Sequence, residues 1–63
     1  MDYPEAIARV TVLRAEVVSL VGVCGPDTHP LTELLEALER REIQPEEAVT
    51  QATVIRSHAR DIW

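Results

Sequence analysis

The residues best equipped for chemistry sit on one short loop, Cys24-Gly25-Pro26-Asp27-Thr28-His29, which brings a thiol, a carboxylate and an imidazole within six positions. Such a set could bind zinc, which takes four protein ligands in a structural site and three in a catalytic one. It could also activate a thiolate, with His29 as the base for Cys24. Both readings fall short. His58 becomes a third ligand only if the last helix folds back to this end, and the spacing fits no zinc pattern. A thiolate nucleophile needs a concave, water-excluding pocket, for which 63 residues leave little room. The sequence therefore reads Cys24 as a small core hydrophobe and His29 as a loop residue. No metal, cofactor or enzymatic activity is expected, and a metal- or thiol-dependent activity at Cys24 and His29 ranks third among the functional readings.

Glu33, Glu36, Glu39, Glu42, Glu46 and Glu47 form a second set. A dimetal bundle would need inward-facing Glu and Glu-x-x-His motifs. Neither His29 nor His58 has Glu three residues before it, so these acids read as a solvated face. A third set lies on the stretch 45–61, where Thr50, Gln51, Thr53, Arg56, Ser57, His58 and Arg60 are types that contact bases and phosphates. With the helix before it, this stretch has the connectivity of a helix-turn-helix. Glu46 and Glu47 would meet the phosphates at the start of such a recognition helix, and they repel them. A small DNA-binding regulator or antitoxin-like protein using helix 45–61 is thus the second reading.

The elements that position these groups follow from periodicity. Leu31, Leu34, Leu35 and Leu38 recur at i, i+3, i+4 and i+7, one face of a helix, with Thr32, Glu33, Glu36, Glu39 and Arg40 on the other. Glu36 and Arg40 stand in the favourable i,i+4 order, and Arg40 and Arg41 suit the negative end of the helix dipole. A new helix then starts: Pro45 fits the first helical position, Glu46 and Glu47 suit its positive end, and Ile43 can staple onto Ala48. Near the N-terminus, Asp2 can cap a helix with Pro4 in its first turn and Glu5 placed as in a capping box. Ile7, Val10, Leu13, Val17, Leu20, Val21 and Cys24 follow on its apolar side, and Glu5, Arg9, Glu16 and Ser19 on its polar side. Neither parity of Val10–Val23 alternates cleanly, so helix is favoured over strand despite the valines. Gly25 is expected at the left-handed position after this helix, with Pro26 preventing its continuation. Thr28 or His29 is expected to cap the second helix. The prediction is three helices at about 4–23, 30–41 and 45–61, with Ala48, Val49, Ala52, Ile55, Ala59 and Ile62 inward on the third.

Composition sets the remaining bounds. A chain this short makes one domain, and domains of this size are marginal without disulfides, metals or oligomerisation. A single cysteine excludes an internal disulfide. There is no Phe, and the only aromatics are Tyr3 and Trp63, so Val, Leu, Ile and Ala must form the core. The net charge of −5 weighs against phosphate-backbone binding. The acidic start, Met1-Asp2-Tyr3-Pro4-Glu5, does not read as a signal peptide, and the longest apolar run is too short to span a bilayer. A cytoplasmic protein without membrane contact is expected.

The pattern Leu34-Leu35, Leu38, Ile43-Gln44-Pro45-Glu46-Glu47-Ala48 resembles the helix–IxPEEA–helix arrangement of short SHOCT-type domains. The resemblance covers less than half of the chain. Where that pattern places glycine before the isoleucine this sequence has Glu42, and the third helix is longer. At most the resemblance implies an oligomerisation or docking role.

The sequence thus predicts an all-α, three-helix bundle-like module, helix 1 packed on a hairpin of helices 2 and 3, completed by a second copy. Val17, Val18, Leu20, Val21 and Val23 go nearly all round helix 1, and a helix apolar on all sides is buried on all sides. The expected interface is this band, the small face of helix 3 with Ala52 and Ala59, and the terminal Trp63. The expected function is a non-enzymatic protein–protein interaction or oligomerisation module: an accessory subunit, adaptor or regulator whose partner is itself or another protein.

Overall fold

The computed structural model describes residues 1–22 and 25–61, with the backbone alone at 60 and 61. Among them are three helices and no strand: α1 (Tyr3–Val21), α2 (Thr28–Glu39) and α3 (Pro45–Asp61). The Met1 ammonium reaches Glu46 at the start of α3 (3.7 Å), and Glu16 pairs with Arg56 further along both helices, so α1 and α3 run parallel. Arg14 donates to the Thr32 hydroxyl (3.0 Å), while the Arg41 side chain lies over the Tyr3 ring, so α2 runs antiparallel to α1. α1 packs against both other helices, most extensively against α3, and α2 and α3 touch each other least.

The core is aliphatic and built from small residues. Ala6, Val10 and Val17 of α1, Leu31, Leu34 and Leu38 of α2, and Ala48, Ala52 and Ala59 of α3 are buried. Tyr3, Ile7, Leu13, Val21, Leu35, Ile43, Val49 and Ile55 close over it. Burying a Leu or Val side chain contributes about 1.5–3 kcal/mol. Alanine adds little area itself but lets α3 approach its neighbours closely.

Helix ends explain where the boundaries fall. Asp2 Oδ1 accepts from the Glu5 N–H (3.0 Å), as its position predicts. Glu5 itself turns to Arg9 (3.7 Å), so the reciprocal half of the capping box is replaced by an i,i+4 ion pair. α1 ends earlier than its apolar pattern implies. Gly22, not Gly25, takes the positive φ (90°) as its C-cap. Gly25 is needed for a different reason. A Cβ there would lie 2.5 Å from Val21 Cγ2 and 2.9 Å from the Val21 carbonyl oxygen. The chain returns so close to the end of α1 that a side chain has no space.

α2 begins at Thr28, two residues before the predicted start, with Asp27 as its N-cap and no side-chain cap bond. Thr28 is buried and its hydroxyl donates to the Gly22 carbonyl (2.9 Å), fastening the start of α2 to the end of α1. At the other end, the Glu42 N–H donates to Ala37 O (2.9 Å) and the Arg41 N–H to Leu38 O (3.1 Å). That is a Schellman motif with Arg41, at φ 58°, in the left-handed position usually held by glycine. The Arg40 N–H still donates to the Glu36 carbonyl (3.0 Å), but its side chain pairs with Glu42 (3.7 Å) in place of the predicted Glu36–Arg40 pair. α3 starts at Pro45 as predicted, and the Gln44 carbonyl accepts from the Ala48 N–H (3.0 Å).

Candidate interaction surface

The residues of the predicted apolar band divide sharply. Val17, Ala52 and Ala59 have no exposed surface within the single chain, so they are occupied by its own core and are not available to a partner. Val18 and Val21 are half-buried, and Val21 packs on that core. The physical reason is topological: α1 has a neighbour on each side, and a helix with two neighbours buries a wide arc. Leu20, on the predicted apolar side and in the predicted interface, is 40% exposed, so it is not taken up by the chain's own core. Val23 and Trp63, like Cys24 and Ile62, lie outside the described residues.

What remains is on the flank where α1 meets α3. Ala8, Arg9, Val12 and Leu13 of α1 and Val49 and Thr53 of α3 line an open, mainly apolar groove of about 370 Å³. Val12 stands at its lip, 57% exposed. Sequence reasoning missed this residue, although a signal was present. Val12 falls seven residues after Glu5 and seven before Ser19, an apolar residue on the polar side of the helix. Val54 on α3, 53% exposed, and Leu20 on α1 are the other large exposed apolar residues of the helices.

Charge is unevenly spread. α1 holds two acids, Glu5 and Glu16, and two arginines, Arg9 and Arg14, and so is neutral. α2 holds Glu33, Glu36 and Glu39 and no Lys or Arg. Most of the net negative charge therefore projects from the α2 side.

The sets of residues capable of chemistry are not brought together among the described residues. His29 is exposed and its Nε2 pairs with Glu33 Oε1 (2.9 Å), one turn further along α2. Asp27 Oδ2 is buried with no hydrogen-bond partner among the described residues. No group of three or more His, Cys, Asp or Glu side chains converges on a common point among them. On α3, Thr50 and Thr53 turn their hydroxyls back to the Glu46 and Val49 carbonyls (2.9 and 2.8 Å). Gln51 reaches Glu47 (3.4 Å) and Arg56 pairs with Glu16, so much of the polar set on this helix is engaged within the chain. No helix among the described residues is long and apolar enough to cross a membrane.

No family model, no curated protein and no solved structure gives a significant match to this chain.

Proposed function

We propose that this chain is a small, non-enzymatic interaction module, an accessory subunit, adaptor or regulator that acts by presenting a helical surface and by associating with itself in the cytoplasm. The observation that carries this reading is the apolar groove between α1 and α3 with Val12 exposed at its lip. A 63-residue chain with an aliphatic, alanine-rich core gains stability from any further apolar burial. Such a surface is also more useful to a partner than to solvent.

The engaged side chains of α3 and the two acids at its start support the interaction reading over DNA binding. A dilution series followed by amide NMR tests the proposal. Resonances that move with protein concentration and cluster on one helical face support it. Spectra that superimpose from low micromolar to millimolar concentration contradict self-association.

A further inference from the structure

We propose that a second copy of this chain docks across the groove between α1 and α3, with its α1 antiparallel to the first; this deepens the interaction reading above and rests on it. Charge and geometry both favour this face. Two copies at −5 each repel one another, and the acids of α2 make that side the least approachable. α1 is neutral, so its exposed flank is where like copies can meet.

The flank is also complementary to itself. Arg9 and Glu16 stand seven residues apart beside α3, about 10 Å along the axis at 1.5 Å per residue. A two-fold axis crossing α1 at the level of Val12 and Leu13 lies midway between them. It sets Arg9 of each copy against Glu16 of the other. Arg9 already holds Glu5, and Glu16 already holds Arg56, so each contact across the axis extends a line of alternating charges. At the axis, Val12 of each copy meets the groove of the other, over Ala8 and Leu13.

The area sets the strength. A standard stable interface takes about 800 Å² from each partner, roughly a fifth of the 4145 Å² exposed by this chain. The outward strip of a 19-residue helix is about 28 Å long and about 10 Å wide, so α1 alone falls short of that standard. The α3 flank with Val49 and Thr53 must contribute, and the dimer is reversible on dilution.

The test uses full-length single-cysteine variants in a Cys24→Ser background, treated with a short bismaleimide. Val12→Cys is expected to cross-link to a dimer at concentrations where the native protein self-associates. Val54→Cys, almost equally exposed on another face, is expected to stay monomeric. Circular dichroism confirms that both are folded. In parallel, Val12→Arg should weaken self-association at least tenfold, while Val54→Arg leaves it unchanged. Native self-association with Val12→Cys silent, or with Val54→Cys linking as readily, overturns this face but leaves the interaction reading in place. No self-association of the native chain overturns this face together with the self-association in the reading above.

Discussion

The guanidinium carbon of Arg41 lies 5.1 Å from the centroid of the Tyr3 ring, and Arg41 holds that place from a left-handed backbone conformation, φ 58°. One residue thus closes the Schellman turn after α2 and stacks on the first residue of α1. A non-glycine residue in that conformation costs about 1–2 kcal/mol. A cation over an aromatic face at a partly exposed site returns about 0.5–1 kcal/mol. The strain equals or outweighs the stacking. Arg41→Gly should therefore be neutral to stabilising by up to about 1.5 kcal/mol. In a Tyr3→Leu background, where no ring remains to lose, the same substitution should be clearly stabilising. A double-mutant cycle by chemical denaturation measures the difference, and equal effects in the two backgrounds would show that the stacking contributes nothing.

The tie between α1 and α2 makes a second prediction. The Thr28 hydroxyl and the Gly22 carbonyl are 2.9 Å apart, and Thr28 is buried. Thr28→Val keeps the shape and removes the donor, so it should cost about 0.5–1.5 kcal/mol. Thr28→Ser should retain most of the stability. Equal stability of Thr28→Val and the native chain in urea titration would rule out a net contribution from this bond.

The two glycines of the same corner should fail for different reasons. Gly22 has open space around its Cβ position but φ 90° and ψ 164°, a region essentially reserved for glycine, so Gly22→Ala meets only conformational strain, of about 1–3 kcal/mol. Gly25→Ala drives a methyl into the side chain and carbonyl of Val21. It should cost at least as much, and it should also shift the amide resonances of the last turn of α1. Gly22→Ala should leave those resonances nearly in place. Reversal of that order would mean that the close return of the chain is misplaced.

Leu38 is 1% exposed and among the largest side chains in the core. Leu38→Ala should cost about 2–5 kcal/mol. A chain of this length has a total stability of about 3–9 kcal/mol, so the substitution should remove a large share of it and lower the denaturation midpoint sharply. Retention of native helicity and of a native denaturation midpoint would remove Leu38 from the core.

Much of this fold was legible in the residues because local chemistry and long-range burial agree. Asp2, Pro45 and the spacing Leu31, Leu34, Leu38 each point to what the structure contains. The misreadings occur where two local solutions compete. Gly22 and Gly25 both suit a helix end, and only the return of the chain across Val21 decides which takes the positive φ. Thr28 suits a cap, where its hydroxyl would accept from a backbone N–H, but it lies just inside the helix and its hydroxyl donates to the Gly22 carbonyl instead. Arg41 carries no sign of a left-handed conformation, since glycine is the usual mark of one. The surface was harder still. An almost all-round apolar helix reads as unfinished until both of its neighbours are placed. Once they are, Val17 is spent internally, while Leu20 and, on the side that looked polar, Val12 are left exposed.

The most direct measurement is sedimentation equilibrium of the native chain over a wide concentration range. The weight-average mass should rise from 7.1 kDa toward twice that value and stop there, as a closed two-fold contact requires. A mass fixed at 7.1 kDa at every concentration, or one that keeps growing past the dimer, would contradict a two-fold dimer built on the α1–α3 groove.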